Sequence, residues 1–236
     1  MNREIAGDSA VQSLVLEDLR QAVNYRRWLA TFATPHLGEE PIEIGSGAGD
    51  YAQEWASGCR VFTASEADPK RLRGLRERFA SEPNVRVTAL TAPVKTRANH
   101  TAVVAYNVLE HVAQDAEALR SFAGLTRPDG KVIILVPAFP VAMSQFDLEI
   151  GHHRRYRKRG LGRTAVAAGL VVEELRYINA PGLILWIILM RLLRQKPKAG
   201  AALRVYDRYW VPTVAQVEAR ISPPFGQSLF MVARAR

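Results

Sequence analysis

The stretch Pro41-Ile42-Glu43-Ile44-Gly45-Ser46-Gly47-Ala48-Gly49-Asp50 decides how this chain folds. Its short apolar run breaks into alternating glycines, which predicts a buried strand that turns sharply into a helix. Because glycine has no Cβ, the backbone there can take positive φ and let a ligand approach the positive end of that helix. A dinucleotide-binding loop usually has the spacing G-x-G-x-x-G, whereas this loop has G-x-G-x-G with Glu43 inside the strand. The spacing therefore favours a ligand other than a dinucleotide.

A second β-rich run, residues 60–69, ends in a carboxylate about 20 residues after the glycine loop, the spacing typical of a ribose-binding acid. We expect Glu66 at the strand end, where its two oxygens can accept hydrogen bonds from both ribose hydroxyls. Asp68, which precedes Pro69, is expected to cap the next helix. The alternative is that both acids only cap that helix and that the glycine turn binds no ligand.

These features resemble the class I S-adenosylmethionine (SAM)-dependent methyltransferases, whose first motif is an acidic residue, x, G, x, G, x, G. Two more segments are similar to family members: "LEH" at residues 109–111, and "NY, two residues, W" at residues 24–28. The resemblance implies an α/β fold with a Rossmann-like seven-stranded sheet and helices on both faces. It also implies one domain over residues 1–236, with a lid helix at about 10–33 and a helical cap inserted between the last two strands at about 180–220.

The resemblance further implies where SAM would lie, with S-adenosylhomocysteine as the product. Its ammonium group would lie near Glu43, its carboxylate would bind Tyr25, and its ribose would bind Glu66. Family members usually have an aspartate for the adenine amino group after the third strand. This chain has Thr91 there, so a backbone amide or the Thr91 hydroxyl would have to replace it. The expected cofactor set is Tyr25, Glu43, Gly45, Ser46, Gly47, Gly49, Tyr51, Glu66, Ala67, Leu90, Thr91, Asn107 and Val108.

The loop at residues 137–163 is expected over the reacting methyl group, because it leaves the carboxyl edge of the sheet beside the glycine loop. The fifth strand before it should follow a turn at residues 127–130 with positive φ at Gly130. The loop resembles the "GH, one residue, RRY" segment of related methyltransferases. That resemblance implies a substrate wall of Phe139, Phe146, Arg154, Arg155 and Tyr156.

Two groups of this acceptor region leave alternatives open. The arginines either pair with Asp147 and Glu149 or bind a phosphate or carboxylate of the acceptor, for which bidentate arginine geometry is suited. The candidate bases are histidines, of which the first is as often structural as catalytic in such a position. They are His111, His152 and His153.

Composition narrows the class of protein. The 236 residues are 48% hydrophobic, which fits one globular domain. The net charge of +9 permits nucleic-acid binding, but no nucleic-acid-binding module accompanies it. The single cysteine, Cys59, excludes an intramolecular disulfide and a cysteine-cluster metal site, and it fits a reducing cytoplasm. We expect no metal, and neither a signal peptide nor a membrane anchor in residues 1–10.

The segment at residues 180–191 is the most hydrophobic part of the chain and is too short to span a bilayer. Three alternatives follow: burial against the loop at residues 137–163, pairing between copies of the chain, or contact of residues 180–198 with a membrane surface. In the last case the basic residues would lie at the headgroups. They are Arg191, Arg194, Lys196 and Lys198. The oligomeric state is left open.

We therefore predict a SAM-dependent methyltransferase that acts on a small amphiphilic or anionic molecule. The identity of the acceptor and of its nucleophilic atom does not follow from the sequence. One alternative is a SAM-binding protein without turnover. Another, which the glycine spacing disfavours, is a nicotinamide-dependent oxidoreductase.

Overall fold

The computed structural model describes residues 21–193 and 200–236, and its centre is a seven-stranded mixed sheet. The strand order is β3-β2-β1-β4-β5-β7-β6, in which β7 is antiparallel to both neighbours and every other pair is parallel. This is the sheet that the sequence predicts. The strands are β1 Ile42–Ile44, β2 Phe62–Glu66, β3 Val85–Ala89, β4 His100–Tyr106, β5 Thr126–Pro137, β6 Val171–Ile178 and β7 Ser228–Arg234.

Helices cover both faces of this sheet. Val103 and Ile134 pack into one apolar cluster with the helices at residues 115–123 and 158–167. Val104 and Ile133 pack into a second cluster with the helices at residues 23–33, 50–56 and 211–218. Successive strand residues thus point to opposite faces, as strand geometry requires, and both faces are apolar because both are covered. The helices are α1 Val23–Ala33, α2 Asp50–Ala56, α3 Pro69–Arg78, α4 Asp115–Ala123, α5 Gln145–Glu149, α6 Lys158–Ala167, α7 Ala180–Trp186, α8 Ala201–Val205 and α9 Val211–Glu218.

A helical cap lies between β6 and β7, where the sequence predicts it. Helix α7 continues into a π-helical turn at Ile187–Leu192, and a second π-helical segment, Tyr206–Trp210, joins α8 to α9. The basic residues Arg194, Lys196 and Lys198 lie outside the described residues, as does the predicted beginning of the lid helix at residues 10–20. The described part of that helix is α1.

Buried polar side chains hold the cap to the rest of the fold. The Glu218 carboxylate accepts hydrogen bonds from the backbone N–H groups of Asn179 (2.8 Å) and Ala180 (2.9 Å) at the start of α7. The Asp207 carboxylate accepts from the N–H groups of Asn24 (3.1 Å) and Tyr25 (2.8 Å) at the start of α1. Each acid therefore pairs with otherwise unpaired N–H groups at a helix amino terminus, where a negative charge is favourable.

The hydrophobic helix of the cap is buried on one side only. Gly182 and Leu183 are buried, and the Trp186 indole donates a hydrogen bond to the carbonyl of Ala142. The expectation of a buried helix therefore holds for that side alone, since other apolar side chains of the same segment are exposed. These are Ile184, Leu185, Ile188, Leu192 and Leu193. No helix in residues 21–193 and 200–236 has both the length and the apolar character needed to cross a bilayer.

The predicted turn at residues 127–130 is wrong in its details. Strand β5 begins at Thr126 and runs through these residues, and positive φ falls on Asp129 (62°) instead of Gly130. Gly130 is needed for space, because a Cβ there would lie 2.7 Å from the Thr126 Cβ and 2.8 Å from the Arg127 carbonyl oxygen. The close approach of these neighbouring residues, and not a positive φ, thus explains the glycine at this position.

Replacing Glu218 by alanine should lower the free energy of unfolding by about 2 kcal/mol, because it leaves two N–H groups without partners. Urea denaturation of the full chain measures the change. The control is Glu77→Ala on the exposed side of α3, which should change stability by less than about 0.5 kcal/mol. Equal stabilities of the two variants would contradict the anchoring role of Glu218.

Candidate active site

A cleft of about 860 Å³ opens at the carboxyl edge of the sheet. Its lining includes the glycine loop after β1, Glu66 at the end of β2, Asn107 after β4, and His152 from the loop after β5. Tyr25 of α1 also lines the cleft. Open α/β sheets bind ligands at this edge, where the chain leaves consecutive strands toward opposite faces.

Backbone conformation and packing both require glycine in the loop after β1. Gly45 and Gly49 have φ of 70° and 82°. A Cβ on Gly45 would lie 2.7 Å from Val108 Cγ2, and one on Gly49 would lie 2.6 Å from Phe79 Cε2. Gly45 and Gly47 line the cleft, whereas Gly49 is the N-cap of α2 behind it. The loop therefore presents bare backbone to the cleft.

Glu66 contacts the glycine loop directly. Its Oε2 accepts a hydrogen bond from the Gly47 N–H (2.8 Å), while Oε1 accepts from the N–H groups of Ala67 and Asp68 at 2.9 Å each. Asp68 caps α3, as the sequence predicts, through bonds from the N–H groups of the second and third helical residues. The two acids thus differ in position, and Glu66 is the one that lines the cleft.

Glu43 is a buried carboxyl group at the wall of the cleft, with 2% of its surface exposed. Its Oε2 has no hydrogen-bond partner among the described residues. Burial raises the pKa of Glu43 to about 8. The nearby carboxylates of Glu66 and Asp50 raise this pKa further, whereas a hydrogen bond with the Ser46 side chain lowers it. A buried carboxyl group with a free oxygen is suited to a cationic group of a ligand.

Most of the predicted cofactor residues meet in this cleft. All of them line it except Gly49 and Leu90, which packs against the core. The Tyr51 ring stacks on Trp55 at 5.3 Å between centroids, and burial raises the pKa of the Tyr25 phenol to about 12, so both tyrosines are neutral hydrogen-bonding groups. Thr91 also lines the cleft, next to Ala92 and Pro93.

The predicted substrate wall is only partly in the cleft. Phe146 lines it, but Phe139 stacks on Tyr177 (4.8 Å) away from the lining. The Tyr156 hydroxyl donates to the Leu109 carbonyl, and Arg154 forms an ion pair with Asp115 at 2.8 Å. These three residues pack the loop at residues 137–163 against the sheet and against α4, and none of them lines the cleft.

Arg155 lines the cleft, but its charge is paired within the protein. Its Nη2 lies 2.8 Å from Asp147 Oδ1, and the guanidinium lies 4.6 Å from the ring centroid of Trp186. This is the pairing with Asp147 that the sequence left as one alternative. A charged partner and an aromatic face together fix the orientation of the guanidinium.

All three candidate histidines line the cleft. His152 Nδ1 lies 2.8 Å from Asp147 Oδ1, and its Nε2 lies 3.8 Å from Glu110 Oε1. Burial lowers the pKa of His111 to about 3, so its imidazole is neutral near pH 7. Burial raises the pKa of Glu110 to about 7. The neutral imidazole of His111 has an Nδ1 without a hydrogen-bond partner among the described residues, which can bind a metal, but a pKa this low makes it a weak proton acceptor.

Sequence reasoning missed several residues of the lining. Glu110 is the middle residue of the "LEH" segment, and that segment was the available signal for it. Trp186 comes from the cap and Gln227 and Ser228 from the approach to β7, far along the chain from the glycine loop. No local pattern places them at the cleft.

Comparisons with known proteins agree with this geometry. Residues 42–132 match a methyltransferase domain family. An uncharacterized methyltransferase of Mycobacterium tuberculosis (strain H37Rv) is 25% identical over 186 residues, which cover 77% of this chain and 70% of that protein. Two solved structures share the fold. One is a chain from the complex of the Haloferax volcanii Trm112 methyltransferase activator with a methyltransferase (TM-score 0.69, 15% identity, 98% of this chain and 97% of that chain). The other is the geranyl diphosphate C-methyltransferase of Streptomyces coelicolor (TM-score 0.64, 13% identity, covering 88% of this chain and 77% of that chain).

Binding of SAM at pH 7 should release close to one proton from the Glu43 carboxyl group of the protein. The Glu43 carboxyl, whose pKa is raised to about 8, is mostly protonated there, and the ammonium group of SAM stabilises only its ionised form. Calorimetry in two buffers of different ionisation enthalpy measures the release. Glu43→Gln should bind SAM without it. A binding enthalpy of the native chain that is the same in both buffers would remove Glu43 from this role.

Proposed function

We infer that this chain, a class I SAM-dependent methyltransferase by its matched domain and its fold, transfers the methyl group of SAM to a small amphiphilic or anionic molecule. The observation that carries the proposal is the size of the cleft. Its volume of about 860 Å³ is near the upper end of the roughly 300–1,000 Å³ typical of ligand pockets, so it suits a cofactor and an acceptor together.

The proposed position of SAM follows the polar groups of the cleft. Its amino-acid end would lie over the glycine loop, with the ammonium group at Glu43 and the carboxylate at Tyr25. Glu66 would exchange its bond from the Gly47 N–H for bonds from the ribose hydroxyls. The open positions of the Glu43 carboxyl and the bare backbone at Gly45 support this placement.

The acceptor would lie at the end of the cleft nearest the cap. Phe146, Ile150 and Trp186 give that end an apolar wall, which favours the amphiphilic version of the proposal. Arg154 and Arg155 do not supply a free charge for an anionic acceptor, since Asp115 and Asp147 pair with them. An anionic group would need another cation.

The reaction is an in-line displacement at the methyl carbon. A bond forms between the acceptor nucleophile and that carbon while the bond from sulfur to carbon breaks, and S-adenosylhomocysteine leaves. SAM is already activated, so the protein's main contribution is to align the two reactants. Where the nucleophile is a hydroxyl, its proton needs an acceptor, and the predicted candidates are His111, His152 and His153. Of these, His111 is disfavoured because burial lowers its pKa to about 3.

Two alternatives and two further properties stay predictions. The absence of the adenine aspartate at Thr91 keeps a SAM-binding protein without turnover as the main alternative, while the glycine spacing and the matched family disfavour an oxidoreductase. A location in the cytoplasm and contact of the exposed side of the cap with a membrane surface are also untested.

Gly47→Val should abolish SAM binding, because a branched side chain at a residue of φ 57° both strains the loop and fills the space over it. The control is Gly74→Val in α3, where an added Cβ has no heavy atom within 4 Å. Calorimetry with SAM and with NAD compares the variants, and thermal melting confirms that both fold. Unchanged SAM affinity in Gly47→Val, or tight NAD binding by the native chain, would overturn the assignment.

Turnover tests the acceptor class. The full chain is incubated with methyl-labelled SAM and either a cell lipid extract or a panel of small amphiphilic and anionic metabolites. We expect label in at least one amphiphilic product. An extract that stays unlabelled ends the lipid version, and SAM binding without any labelled product in the panel would favour the binding protein.

A further inference from the structure

Three side chains with metal-binding atoms meet at the acceptor end of the cleft. One ligand atom from each of Glu110, His111 and His152 lies within 4.8 Å of the other two. All three residues line the cleft. They come from two segments, since the "LEH" turn follows β4 and His152 belongs to the loop after β5.

Several polar atoms of these side chains are buried but have no hydrogen-bond partner among the described residues. Glu110 has no exposed surface, and neither of its carboxyl oxygens has a hydrogen-bond partner among the described residues. The same holds for Nδ1 of His111. Buried polar atoms without partners are costly and rare, so a group that binds all of them at once would account for the arrangement.

The orientation of His152 is fixed by a second carboxylate. Its Nδ1 lies 2.8 Å from Asp147 Oδ1, and because a carboxylate only accepts, Nδ1 carries the proton. The lone pair on Nε2 therefore faces Glu110. Asp147 is itself held by bonds from Ser144 and Arg155. A histidine that donates its other N–H to a fixed carboxylate is the usual support for a metal ligand.

A direct hydrogen bond does not explain the cluster. His152 Nε2 and Glu110 Oε1 are 3.8 Å apart, which is beyond hydrogen-bonding distance. Two ligands at about 2.0–2.2 Å from one tetrahedral metal ion are roughly 3.3–3.6 Å apart, so these two atoms would need to approach each other by only a few tenths of an ångström. The spacing thus suits an ion between the two groups.

We propose that Glu110, His111 and His152 bind one divalent transition-metal cation of the zinc type. Two imidazoles and one carboxylate are a donor set of zinc and related ions, and three protein ligands leave coordination positions open. Because the three residues line the cleft, these positions face the acceptor. The site stands on its own geometry, and its role toward an acceptor rests on the proposed methyl transfer.

The cation would supply the positive charge that Arg154 and Arg155 do not. An oxygen of the acceptor, from a hydroxyl, carboxylate or phosphate, would take an open position on the ion. Binding to the cation would lower the pKa of a hydroxyl, which would then lose its proton to solvent as its oxygen attacks the methyl carbon and the bond from sulfur to that carbon breaks. With the ion bound, the lone pairs of His111 and His152 would be occupied, so neither histidine would act as the base.

The test measures metal binding without methyl transfer. The untagged full chain is stripped with a chelator, and Zn²⁺ and Mn²⁺ are then titrated separately by calorimetry and by competition with a chromophoric chelator. We expect one ion per chain. Glu110→Gln and His152→Gln should each weaken binding at least about 100-fold, since each removes a direct ligand and even the loss of a supporting residue costs about 10–100-fold. The control, His36→Gln, alters a histidine outside the cleft and should bind as the native chain does.

Several outcomes would overturn the site. If neither ion binds, the site does not exist. If Glu110→Gln and His152→Gln bind the ion as tightly as the native chain does, the protein holds an adventitious ion only. SAM affinity and thermal melting show that the variants fold, and Co²⁺ adds a spectrum that must change when a ligand is removed. Turnover without metal binding overturns this site alone, whereas metal and SAM binding without turnover leaves the site and overturns the proposed function.

Discussion

The contact between the Glu66 carboxylate and the backbone of the glycine loop is the constraint on which the cleft depends. One carboxylate oxygen holds the loop after β1 at Gly47, and the other holds the chain where it leaves β2. The Ser65 carbonyl and hydroxyl tie the same two segments together through Ser46 and Glu43. Two neighbouring strands therefore end in one polar unit, and the sheet edge stays open beside it.

The lining of the cleft falls into two groups of different chemical character. Near the glycine loop, the buried acids Glu43 and Glu66 line the cleft, and Arg71 pairs with Glu66. The other group combines the apolar side chains of Phe146, Ile150 and Trp186 with a compact cluster of histidines and acids. Such a division suits two ligands of different chemistry that meet in the middle, which is what methyl transfer requires.

Local sequence predicted the parts of the fold that local physics determines. The glycine loop, the acid at the end of β2 and the cap of α3 depend on residues a few positions apart, and their predicted positions agree with the observed geometry. Long-range contacts were missed: Asp207 binds α1 from 182 and 183 residues away, and no pattern around it indicates a helix cap. The resemblance placed Arg154 and Tyr156 in the substrate wall, whereas both contact Asp115. Their local sequence does not show this pairing, because Asp115 lies about 40 residues earlier, in α4.

The cap contacts two separate parts of the cleft lining. Asp207 of the cap binds the amino terminus of α1, whose Tyr25 lines the cleft, and Trp186 of the same cap packs on Arg155, which binds the same Asp147 as His152. Moving the cap outward would break hydrogen bonds at one site and an aromatic contact at the other in the same step. If the cofactor and the acceptor bind as proposed, exchange of the spent nucleoside and release of the methylated product would therefore be mechanically linked through a single element.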